Sequence, residues 1–145
     1  MPRHIAPHPT PVRNAHEAED LLRLALPRPL VEETLAFLLD DDGIGGVMIS
    51  FEHTTPLESV LLITDVMSSA GGFVPELSGL VVATVRPKDG VMPGDIDRWL
   101  LASDIAERNG ITLLEWYVVD RHGFHCPREL IGEPMRWEYW AGGAQ

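Results

Sequence analysis

Six consecutive uncharged residues, Leu80-Val81-Val82-Ala83-Thr84-Val85, constrain this chain more than any other segment. A β-branched run of this kind suits a strand covered on both faces, because a strand with one wet face alternates apolar and polar residues instead. The flanking sequence supplies the covering elements. Asn14 to Leu26 reads as a helix, with Asn14 as cap, Glu17 three residues later, and Ala18, Leu21, Leu22, Ala25 and Leu26 at helical spacing. Pro27 and Pro29 stop it. Pro56 to Ser69 carries a second apolar stripe, from Leu57 through Val60, Leu61 and Ile63 to Met67, and ends at Gly71-Gly72. A third helix opens at Asp95 or Asp97 and closes at Asn109-Gly110.

Between these lie further strands. Thr34 to Leu39 and Ile44 to Phe51 flank Asp40-Asp41-Asp42-Gly43 and read as an antiparallel hairpin. The three aspartates lack the spacing and distal Glu of a calcium-binding hand, so a turn is the expected role. Ile111 to Val119 is a strand broken by Asp120-Arg121-His122-Gly123, and Phe124 to Cys126 begins another. The order is helix, two strands, helix, strand, helix, strand, strand. It implies an α/β layer fold.

The chain has 145 residues, enough for one domain with a real core. Residues 1–13 are rich in Pro, His and Arg and read as a flexible arm, with His4 and His8 in a solvated tail; residues 14–145 read as one domain with an aromatic C-terminal tail. The formal net charge of -11 disfavours passive binding to nucleic-acid phosphates or anionic lipid. Cys126 is the single cysteine, which excludes an internal disulfide and a four-cysteine zinc site and fits a reducing cytoplasm. The first residues lack the apolar core of a signal peptide, and no apolar run approaches the roughly 20 residues of a membrane span. A cytoplasmic protein is expected.

From about Pro29 to Gly132 the order of elements and the loop chemistry resemble the RadC-like JAB/MPN family. In that family an apolar strand runs into His-Asn-His-Pro-Ser-Gly, then Pro-Ser, then an Asp that opens a helix. The two His and the Asp bind zinc. The matching stretch here is Thr84-Val85-Arg86-Pro87-Lys88-Asp89-Gly90-Val91-Met92-Pro93-Gly94-Asp95-Ile96-Asp97. Pro87 and Pro93 fall on the two prolines and Asp97 on the Asp ligand, without an insertion. Leu113-Leu114-Glu115-Trp116-Tyr117-Val118-Val119 is similar to the family's Leu-Leu-Asp-His-Leu-Ile-Ile strand, and Arg121-His122-Gly123-Phe124 to its turn. Phe51-Glu52-His53-Thr54-Thr55 stands where the family has a Gly-Thr pair. The resemblance implies a three-layer JAB/MPN-like (cytidine-deaminase-like) fold, a mixed sheet flanked by helices.

The resemblance also places Thr84 and Arg86 at the two His positions. A Thr hydroxyl is a poor zinc ligand, and Arg offers only donors and a fixed positive charge. Asp97 alone cannot hold zinc, and without the metal no hydroxide forms at neutral pH. These are vestigial metal-site positions on this reading, with no cofactor expected. Arg86 is expected to pair with Asp97 and fill the metal position with a salt bridge. Glu52 is the nearest candidate acid for the family's general base.

Other candidates are weaker. His122, His125 and Cys126 have metal-ligand chemistry, but on an extended strand His125 and Cys126 face opposite ways. Cys126 as a nucleophile lacks an orienting third residue. Arg86, Lys88 and the following helix start would suit an anion but for Asp89, Asp95 and Asp97. Trp99, Trp116, Trp137 and Trp140 are candidates for a partner surface; core packing explains Trp116 at least as well, and Trp137 and Trp140 near the terminus mark a possible interface or a tail docked on the sheet edge. The expectation is a non-catalytic JAB-like pseudoenzyme that binds a protein partner or a second copy. One alternative is a metal-dependent hydrolase, a peptidase or nuclease, with a non-standard site drawn from Asp97, Glu52, His53 or the His122–Cys126 group. The other is a DNA-repair or mobile-element accessory protein, which the acidic charge disfavours.

Overall fold

The structure, a computed structural model, describes residues 2–5, 11–138 and 140. Its elements are β1 (Pro2–Ile5), α1 (Ala15–Ala25), β2 (Glu33–Asp40), β3 (Gly45–Glu52), α2 (Ser59–Gly71), β4 (Leu77–Val85), α3 (Asp95–Arg108), β5 (Thr112–Asp120) and β6 (Gly123–His125). Two 3-10 turns follow, at Pro127–Ile131 and Arg136–Glu138. The strands form one mixed six-stranded sheet in the order β1-β3-β2-β4-β5-β6. β4 and β5 run parallel across the α3 crossover, and the other pairings are antiparallel. This is the α/β layer fold that the element order implies. Among the described residues no helix is long and apolar enough to cross a membrane.

One expectation fails at the N-terminus. Residues 2–5, read as part of a flexible arm, pair with β3 from Pro2 opposite Phe51 to Ile5 opposite Met48. An edge strand tolerates Pro because one side of its backbone needs no ladder partner. Met1 and residues 6–10, which include His8, lie outside the described residues.

Local chemistry sets the element ends. Asn14 Oδ1 accepts from the Glu17 N–H at 2.9 Å, which satisfies one orphan donor at the start of α1, and the Glu17 carboxylate accepts in return from the Arg13 N–H just before the cap. In the hairpin, Asp40 Oδ1 accepts from the N–H groups of both Asp42 and Ile44. The three aspartates are therefore a turn, as expected.

Alternation along the central strands divides the core in two. Val81, Ala83 and Val85 of β4, with Leu35 and Phe37 of β2 and Tyr117 and Val119 of β5, pack on one face against Ala18 and Leu22 of α1. Leu80 and Val82, with Ala36, Trp116 and Val118, pack on the other against Val60, Ile63 and Met67 of α2 and Trp99, Ala102 and Ala106 of α3. The Leu80–Val85 run is covered on both faces as its composition requires.

The C-terminal segment closes the β5 edge. Arg136 donates to the Leu113 carbonyl and to Ser103 Oγ, and lies 4.1 Å from the Trp99 ring centroid. Trp137 and Trp140 are buried in the α1-side core, edge to face with centroids 5.9 Å apart. Trp140 Nε1 donates to Ser78 Oγ, and Gly79 leaves room for its ring: a Cβ there would meet Trp140 at 2.9 Å. These indoles are a docked tail, one of the two roles the sequence leaves open for them. Apolar burial accounts for both placements, the Trp140 N–H being hydrogen-bonded while the buried Trp137 Nε1 has no partner among the described residues.

Candidate functional site

β4 delivers Thr84 and Arg86 to the α2/α3 side of the sheet at the end where the parallel strands finish. In open α/β sheets this is where ligands are usually bound. Both side chains are engaged from within. Thr84 is buried, and its Oγ1 accepts from Trp116 Nε1 at 2.9 Å. Arg86 is also buried, and its guanidinium grips the Asp95 carboxylate through two bonds, Nη1 to Oδ2 at 2.6 Å and Nη2 to Oδ1 at 3.3 Å. Nη1 also donates to the Gly90 carbonyl, and the guanidinium carbon sits 5.7 Å from the Trp116 ring centroid.

The fork was expected with Asp97 and is made with Asp95. Helix phase explains the change. Gly94 takes φ +89°, which starts α3 abruptly and puts Asp95 at its first position, turned back toward the loop. Asp97 lies two positions on, roughly 200° around the helix axis, and is exposed. Its carboxylate has no hydrogen-bond or ion-pair partner among the described residues.

Asp95 is the hub of the cluster. Besides Arg86, it accepts from the Met92 N–H at 2.7 Å and from Arg98 Nη1 at 2.9 Å. Arg98 reaches on to the Pro93 carbonyl and to Glu58 Oε1. Burial alone would push the Asp95 carboxyl up. The bonds from Arg86, Met92 and Arg98 outweigh it and hold the group below its ordinary value. Two cations and two carboxylates, one of them the exposed Glu58, leave the network near neutral.

Zinc does not fit these residues. Thr84 offers a hydroxyl already bonded to an indole N–H, Arg86 brings a cation to the same place, and Asp97 stands apart on the solvent side of α3. A zinc centre needs three or four N, O or S donors converging on one point. Among the described residues no group of three or more His, Cys, Asp or Glu is placed to hold a metal.

The remaining candidates are scattered. Glu52 is exposed at the end of β3, and His53 follows it, exposed, with a left-handed backbone at φ +59°. His122 is exposed in the β5–β6 turn, while His125 Nε2 lies 2.9 Å from Asp120 Oδ1. Cys126 is half-buried, and burial together with the nearby carboxylates of Glu115 and Glu129 drives its thiol well above the ordinary range. A thiol so placed is a poor nucleophile at neutral pH.

A second buried ion pair was not foreseen. Glu115, fully buried in β5, is gripped by Arg128 through Nε at 3.1 Å to both oxygens and Nη2 at 3.0 Å. Arg128 also donates to the Glu133 carbonyl, tying the first 3-10 turn to the tail. Burial raises the Glu115 carboxyl above its usual value, and Arg128 offsets only part of that. A charged residue inside an otherwise apolar strand was the available signal, since such a group needs a cation from elsewhere.

No known family profile, curated protein or solved structure matches this chain.

Proposed function

We propose that this protein is a metal-free JAB-like domain of the RadC type that serves as a protein-interaction or scaffolding module. One observation carries the reading: the two positions that the resemblance assigns to the metal-binding His are bonded to the protein's own side chains, and the third, Asp97, stands apart from them. Thr84 is capped by Trp116, and Arg86 is locked onto Asp95. An electrophilic metal and an activated water have no place in a network whose donors and acceptors are already matched. The α/β order and the collinear loop from Thr84 to Asp97 support the JAB-like assignment.

Partner binding draws support from the outer face of α2. Leu62 and Val66, one helical turn apart, are 67% and 50% exposed, and Phe73 just beyond the helix is 88% exposed. Apolar groups at this spacing form a stripe of the kind that partners cover. A photo-crosslinking amino acid at Leu62, introduced in cells that make the protein natively, tests the reading. The expected result is a discrete covalent adduct, with a protein partner or a second copy, that Val66→Glu abolishes. The absence of any adduct, or a metal-dependent hydrolytic activity that survives Leu62→Glu, overturns it.

A further inference from the structure

We propose that the concavity between the end of α1 and the β5–β6 turn binds a compact organic phosphate, a phosphate monoester bearing an apolar group. The inference is independent of the function proposed above. The cavity holds about 190 Å³ and is lined on its polar side by Arg23, Arg28, Arg121 and His122, and on its apolar side by residues that include Leu26 and Phe124. The chain has 11 Lys and Arg against 22 Asp and Glu, so three arginines around one small cavity run against the overall charge.

These arginines are not equivalent. Arg23 pairs with Glu19 and Asp20 and lies 4.9 Å from the Phe124 ring centroid, so it forms a neutralised wall. Arg28 and Arg121 are exposed and have no ion-pair or hydrogen-bond partner among the described residues. They are the free charges of the site. Asp120, the one carboxylate in the lining among the described residues, is occupied: its Oδ1 accepts the His122 N–H at 2.7 Å and lies 2.9 Å from His125 Nε2.

A guanidinium presents a planar fork of donors that matches a phosphate, and two unpaired forks suit a dianion. The apolar wall suits a carbon group attached to it. The cavity is smaller than the roughly 300 Å³ lower bound typical of drug-sized ligands, which makes the occupant compact. Electrostatic focusing in a concave site lets local cations act even in an acidic protein.

The test titrates the full-length protein with phenyl phosphate, inorganic phosphate and benzoate in separate calorimetric experiments at low ionic strength. Phenyl phosphate is expected to bind saturably at one site, at least about fivefold tighter than either fragment. The double variant Arg28→Ala/Arg121→Ala is expected to weaken it by about tenfold or more, whereas Arg108→Ala in the last turn of α3 leaves it unchanged. Thermal melting checks that each variant folds, and single Arg28→Gln and Arg121→Gln variants serve if the double one does not. The proposal is overturned by no saturable binding up to about 10 mM phenyl phosphate, by benzoate binding equally well, or by indifference to loss of the two arginines in folded protein.

Discussion

Replacing Arg86 with Met keeps an apolar stem in the cavity and removes the guanidinium from the Asp95 carboxylate. The Arg86 side chain is 9% exposed and that of Asp95 is 0%, so solvent cannot re-solvate the anion. Removing one partner of a buried pair costs about 3–5 kcal/mol, chiefly because the other charge is left without compensation. Asp95 still accepts from Arg98 and the Met92 N–H, which puts the expected loss near the lower end, about 3 kcal/mol. Thermal unfolding should then shift down by about 6–12 °C, at about 2–4 °C per kcal/mol for a chain of this size. Urea denaturation at pH 7 of wild type, Arg86→Met, Asp95→Asn and the double variant completes a cycle. The double variant should be less destabilised than the two single losses summed, since the residues act as one unit. A loss under about 0.5 kcal/mol for Arg86→Met, or additive single effects, would refute the buried fork, because a solvated surface arginine behaves that way.

Further outcomes follow from the same geometry. Folded Asp95 binds its proton less readily than its ordinary value of 3.8 implies, so its stabilisation is complete above that pH and disappears as the pH falls through the lower folded value; the urea midpoint gap between wild type and Asp95→Asn should narrow as pH drops from 7 toward about 2. Arg128→Met leaves the Glu115 carboxylate buried, with an expected cost of about 3–5 kcal/mol by urea denaturation and partial relief at acid pH, where the raised Glu115 carboxyl takes a proton. Gly79→Val drives a side chain into Leu114 and Trp140, and should destabilise by about 1–3 kcal/mol while making the tryptophan fluorescence more solvent-exposed.

The layered architecture was legible because periodicity reports burial directly. The Leu80–Val85 run, the hairpin about the aspartate turn and the Asn14 cap each needed only local chemistry. The sites were less legible because they depend on phase and on distant partners. Asp95 and Asp97 both stand in the first turn of α3, and only the left-handed Gly94 decides which carboxylate faces Arg86. Glu115 was visible as a charge inside an apolar strand, but its cation comes from a 3-10 turn beyond β6, which no periodicity marks. Trp137 and Trp140 could equally have covered an edge or a partner, and the choice rests on the space left by Gly79. The strand at residues 2–5 escaped because its composition is that of a tail.

Equilibrium dialysis of the purified full-length chain against micromolar zinc, with metal counted per chain, bears most directly on the claim that internal bonds have replaced a metal centre. The account predicts well under about 0.1 zinc per chain, and no gain of heat stability on adding the ion, since binding to the folded state would raise it. One zinc per chain, lost on substituting Asp97 with Ala, would contradict it.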